Sequence, residues 1–130
     1  MSHFSTIKTK IKEKPILLEA LELLQYDAKE NQDLVITNPD HAEDHPVVRA
    51  EVAITNDIGF RWNAETETYD LYSDNVTWDL DVPVNRFLDK VTQQYARMTI
   101  HSAVKEQGFT VAEEWEMDDN SIELTVTRWI

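Results

Sequence analysis

Residues 83–108 read PVNRFLDKVTQQYARMTIHSAVKEQG. Within this stretch Val84, Phe87, Leu88, Val91, Tyr95 and Met98 recur at helical spacing, so they share one stripe of an α-helix. Pro83 suits the opening turn, where a missing N–H costs nothing, and Asp81 is a candidate cap just upstream. Gly108 fits the position just past the end, which favours positive φ, and Lys105 complements the dipole of the last turn. From Val84 to Gln107 the helix would be about 36 Å long.

The flanks read mostly as strand. Phe4 to Ile11 alternates, with Ser5, Ile7, Thr9 and Ile11 on one face and Thr6, Lys8 and Lys10 on the other. Pro15 then opens a first helix over Ile16 to Tyr26, with Leu17, Leu21 and Leu24 in register. Ala28 to Asp33 is polar and predicts a loop, followed by a short strand at Leu34-Val35-Ile36. Val48, Ala50, Val52 and Ile54 alternate with Arg49, Glu51 and Ala53, the pattern of a half-buried strand. Ile58 to Asn63 and Tyr69 to Ser73 predict a hairpin across Ala64 to Thr68. Phe109 to Met117 and Ile122 to Ile130 predict a closing hairpin. The order implies an α+β fold, a largely antiparallel sheet with two helices, one long, packed on one face. Residues 1–130 are expected to form a single domain.

Composition narrows the function. The 130 residues include two glycines, each followed by phenylalanine, so neither a phosphate-cradling loop nor a dinucleotide fingerprint can be spelled. There is no cysteine, hence no disulfide and no thiolate chemistry. No apolar run is long enough to span a bilayer, and the N-terminus lacks the regions of a signal peptide. The formal net charge of −13 repels phosphates and anionic membranes and favours basic partners. Lys8, Lys10, Lys12 and Lys14 gather early, and acid dominates from Glu113 to Glu123.

Ordered blocks along the chain resemble a known family. They are Ser2-His3-Phe4-Ser5 with Ile7-Lys8-Thr9, Ala20-Leu21, Asp57-Ile58-Gly59-Phe60, Tyr69 and Leu71, Asp74 and Trp78. Phe87-Leu88, Gln94-Tyr95-Ala96, Gln107-Gly108-Phe109 and Arg128-Trp129 continue the series. The pattern resembles the hypothetical chloroplast reading frame thirty-five family of cyanobacteria, algal plastids and some of their viruses. That resemblance implies a cytoplasmic or stromal protein. It implies no reaction and no catalytic set. The chain departs from the family pattern at Leu24-Gln25, where a leucine-glycine pair is usual. It departs again at the Pro39–Pro46 loop, and at Asn120-Ser121, where an Asp-Gly pair is frequent.

Candidate site residues follow from these blocks. His3 stands just before the first strand, either as a surface or capping group or as a base or ligand at the sheet end. Asp57, Phe60, Trp62, Asp74 and Trp78 concentrate in the meander, where aromatics pack a core or line a groove for a peptide or small ligand. Arg128 completes the set near the C-terminus. His41 and His45, four apart between prolines, are weak metal-ligand candidates, because Ala42 stands where a zincin needs glutamate. His101 reads as part of a solvated helix face. Glu113 shares a predicted strand face with Val111 and Trp115, so burial would demand a cation such as Arg97 or Arg128. No catalytic group and no cofactor is expected.

These features favour a small acidic, non-enzymatic protein-interaction or accessory module whose partner is another protein. A homodimer through the strand ending at Trp129-Ile130 fits the same reading, and neither nucleic-acid nor membrane binding does. The alternatives are a ligand-binding domain or enzyme using a groove beside the long helix, and an acidic mimic of nucleic acid.

Overall fold

The computed structural model describes residues 4–35, 47–74, 78–116 and 122–128. The elements run β1 (Phe4–Lys8), α1 (Lys14–Leu23), β2 (Lys29–Val35), β3 (Val47–Ala53), β4 (Ile58–Asn63), β5 (Thr68–Asp74), α2 (Val84–Glu106), β6 (Phe109–Glu116) and β7 (Ile122–Arg128). Among the described residues, β1 to β5 form one antiparallel sheet in the order β1-β5-β4-β3-β2, and β6 and β7 form a separate two-stranded sheet. The fold is α+β, as the pattern predicts.

Two elements differ from expectation. The polar stretch expected to loop is strand β2. Lys29, Glu30, Asn31, Gln32 and Asp33 are all exposed on the sheet edge, so they carry no apolar alternation to reveal a strand. The start of α2 also differs: Pro83 itself is the N-cap, its carbonyl accepting from the Phe87 N–H at 2.9 Å, and no side chain caps the end.

The main core lies between the helices and one sheet face. Ile58 and Phe60 of β4, Tyr69 and Leu71 of β5 and Val52 of β3 meet Leu17 and Leu21 of α1 and Phe87 and Val91 of α2. Phe60 and Phe87 are fully buried. Each such burial stabilises by about 1.5–3 kcal/mol. The helices are tied to each other by a polar contact as well. The Tyr95 hydroxyl of α2 accepts the backbone N–H groups of Lys12 and Glu13, at 3.1 and 3.0 Å, where α1 begins. Those donors have no partner inside α1, so a residue 82 positions away supplies the cap.

A smaller core forms on the opposite sheet face, from Leu34, Ala50 and Ala53, with Val48 and Tyr72 against it. Strict alternation would place Ala50 beside Val52. The β2–β3 ladder skips the position where Asn31 faces Glu51. Asn31 has φ 55°, which asparagine tolerates, and the Glu51 carboxylate accepts the Trp62 backbone N–H at 2.6 Å. Past this irregularity Leu34 and Ala50 close over Gly59. A Cβ on Gly59 would lie 2.9 Å from the Val52 carbonyl oxygen, 3.1 Å from the Ala50 Cβ and 3.2 Å from a Leu34 methyl carbon. Close approach, not torsional freedom, selects glycine there.

The end of α1 shows the reverse case. Gln25 has φ 67°. Its N–H reaches the Glu22 carbonyl at 2.9 Å, and the Tyr26 N–H reaches the Leu21 carbonyl at 3.0 Å. This is the Schellman arrangement, which favours glycine at the left-handed position. Gln25→Gly is therefore expected to stabilise the fold by about 0.5–1 kcal/mol. Gly59→Ala is expected to destabilise it by about 1–3 kcal/mol. Urea unfolding midpoints of the two variants check both signs.

Candidate functional site

The second half of α2 leaves the core. Val91 and Gln93 are its last buried residues; from Gln94 to Glu106 every position is half-buried or exposed. The β6–β7 hairpin folds back against this half of the helix. No residue of the hairpin with a described burial is buried either.

An irregularity in β6 decides which side chains face the helix. Val111 pairs with Val126 and Glu113 with Thr125, so Ala112 is an extra residue that shifts the register. The alternation inverts past it. Glu114, opposite Leu124, turns toward α2, while Glu113 is exposed. Glu113 keeps the expected face of Trp115 but not that of Val111, and it is not buried. The carboxylate that needed a cation is Glu114, and Arg97 supplies it, donating through Nε. His101 Nε2 lies 3.0 Å from the other Glu114 oxygen. His101 is thus half-buried in a contact and not a solvated helix position. Arg97 also donates to Gln94 Oε1 at 3.3 Å, and Lys90 stands 4.0 Å from Glu116.

Burial pushes the Glu114 carboxyl up, but hydrogen bonds from Arg97 and His101, with their positive charge, hold it below the ordinary glutamate value. This polar cluster ties the hairpin to the helix, beside the half-buried Phe109, Val111, Ile122 and Leu124. Two apolar side chains of the hairpin are left open. Trp115 is 42% exposed and Val126 39%, and Ile100 on the neighbouring helix is 39% exposed.

Open clefts lie beside α2. One of about 560 Å³ is lined by Glu19, Met98, His101, Lys105, Phe109 and Val111 among others. Another of about 600 Å³ lies where Lys8 and Lys10 approach Leu88 and Gln93. Among the described residues, no group of three or more His, Asp or Glu is placed to hold a metal ion.

The residues singled out from sequence do not converge. Phe60 and Trp78 enter the main core, both against Phe87, and the Trp78 indole donates to the Val82 carbonyl at 2.7 Å. Trp62 stacks edge-on to Tyr69 at a centroid distance of 5.1 Å and is 38% exposed. Asp57 accepts from the Thr55 hydroxyl at 2.7 Å, inside the β3–β4 turn. Asp74 is buried at the end of β5, opposite Phe4 of β1. Arg128 pairs through its backbone with Phe109, and its side chain lies outside the described residues, as do His3, His41, His45 and the Trp129-Ile130 end. Glu114 and Trp115 escaped the sequence reading because one extra residue in β6 reverses their sides. One signal existed: Arg97 and His101 are four apart, so they share one helix face that suits an acid opposite.

Comparison with known proteins now names the family. The family model described as Protein of unknown function (DUF1257) matches residues 20–125. "Uncharacterized protein ycf35" of Pyropia yezoensis is 31% identical over 129 residues, covering 99% of this chain and 98% of that protein. The proteins of the same description from Guillardia theta and Cyanophora paradoxa are each 32% identical, again over 99% of this chain and 98% of theirs. The chain belongs to this ycf35-type family of unknown function, as its ordered sequence blocks imply. No solved structure matches it significantly.

The polar lock carries a pH signature. Because the Glu114 carboxyl is held below its ordinary value of 4.5, its contribution is complete above that pH and is lost as pH falls through the lowered value. Glu114→Gln is expected to weaken hairpin attachment at neutral pH by about 1 kcal/mol, discounted for partial exposure. The gap between wild type and variant should begin to narrow below the ordinary glutamate value and be smaller at pH 3.5 than at pH 7. Urea titrations at pH 7 and pH 3.5, followed through the β6 amide resonances, measure it.

Proposed function

We propose that this protein is a non-enzymatic interaction module, a single acidic domain of the cytoplasm or plastid stroma that docks another protein through the arm formed by the second half of α2 and the β6–β7 hairpin. The observation that supports the reading is the division of burial. The sheet and α1 make a closed core with the first half of α2, whereas the arm spends charged side chains on its own attachment and leaves Trp115, Val126 and Ile100 open. Aromatic and aliphatic side chains on a polar-rimmed surface are the anchors from which interfaces are built. No helix among the described residues is long and apolar enough to cross a membrane, which is consistent with a partner met in water.

Site-specific photo-crosslinking in the native host tests the assignment. A benzophenone amino acid at position 115 is expected to yield one dominant protein adduct. The same probe at Leu23 or Trp62, exposed apolar positions outside the arm, should yield none. Equal labelling from all three positions, or adducts only from the two controls, would remove the arm as the docking surface.

A further inference from the structure

We infer that the partner segment received by the hairpin is cationic, a lysine- or arginine-bearing stretch of protein seated on the outer face of β6–β7 over Trp115. This inference rests on the docking reading and adds the chemistry of the occupant. The β6 irregularity turns Glu114 and its cross-strand neighbour Leu124 toward α2, so Trp115 and its neighbour Glu123 point away. Glu113, two positions before Trp115, joins them, with Thr125 opposite. All four of these outward side chains are exposed.

The outer face is therefore an open indole with one carboxylate along its own strand and another directly across the ladder. Cross-strand neighbours lie roughly 4.5–5.5 Å apart at Cβ, and same-face neighbours on one strand about 7 Å apart. Both carboxylates can therefore reach a cation resting on the ring. Among the described side chains of this face there is no basic group to neutralise them. A guanidinium or ammonium satisfies both features at once, stacking on the indole face while pairing with the flanking acids. The formal charge of −13 adds long-range attraction for the same partner and repels nucleic acid from it. Among the described side chains, basic groups on the facing part of α2 are engaged elsewhere: Arg97 and His101 with Glu114, and Lys90 with Glu116.

A synthetic hexapeptide of alternating lysine and arginine, at about 0.1 M salt where distant charges are screened, is the probe. Binding is followed by NMR through the Trp115 indole N–H. The expected result is a saturable shift of that resonance. Glu113→Gln with Glu123→Gln should weaken binding about fivefold or more, and Trp115→Leu about threefold. Glu65→Gln with Glu67→Gln, on the exposed β4–β5 turn, makes the same change in net charge and should leave affinity within about twofold. The inference is overturned if that control pair weakens binding as much as the hairpin pair, because net charge alone would then explain the attraction. It is also overturned if the Trp115 indole does not respond. Crosslinks at position 115 without peptide binding would reject the cationic occupant and leave the docking assignment intact. Peptide binding at Trp115 without any crosslink would do the reverse.

Discussion

Phe87 is the contact on which the rest of the structure depends. It is fully buried near the start of α2 and meets rings from three separate parts of the chain. Tyr26, just past α1, and Trp78, in the β5–α2 connection, approach edge-on at 5.2 and 5.6 Å, and Phe60, at the centre of β4, lies tilted at 6.5 Å. Ring contacts of this kind add about 0.5–1.5 kcal/mol each beyond the area they bury. One side chain thereby fixes where the helix lies on the sheet, where α1 ends and how the connection returns. The Tyr95 hydroxyl, two turns further along the same helix, caps the start of α1. The helix pair and the sheet are set by one face of α2.

That face ends before the helix does. Past Val91 and Gln93 the helix has no buried position, yet it continues to Glu106. Length beyond the core has a structural consequence: it carries the β6–β7 hairpin away from the main sheet. A two-stranded hairpin is marginal alone in water. This one is held by the half-buried Phe109, Val111 and Leu124 together with Glu114, Arg97 and His101, with Lys90 and Glu116 adding a weaker pair. Charged attachment leaves apolar side chains available for something else, and Trp115 is the largest of them. The inversion at Ala112 does two things together. It delivers a carboxylate to the helix and an indole to solvent.

Much of the fold was legible in the sequence because its signals were periodic. The stripe from Val84 to Met98 defined α2, alternation marked β1 and β3, although β3 breaks it between Ala50 and Val52, and Gly108, with φ 81°, ends the long helix where a glycine should. Strand β2 was legible only at its end, Leu34-Val35, since the edge stretch Lys29 to Asp33 exposes both its faces and needs no apolar pattern. The candidate site was less legible still. The sequence concentrates aromatics in the meander, but Phe60 and Trp78 are consumed by packing against Phe87. The side chains left over are in β6, where a single inserted residue reverses the pattern. Strand parity read from sequence is only as good as the assumption of an unbroken ladder. Gln25 illustrates a related limit: its strained φ appears only once the helix end is in place.

The central claim is that a finished body carries a separately held arm. Native-state hydrogen exchange, residue by residue, tests it most directly. Backbone amides of β4 and β5 should open only with global unfolding. Those of β6 and β7 should exchange through a local opening whose free energy is lower by about 2 kcal/mol or more. Equal protection of both sheets, with a common response to denaturant, would mean that the hairpin is part of the same cooperative core and would contradict the account.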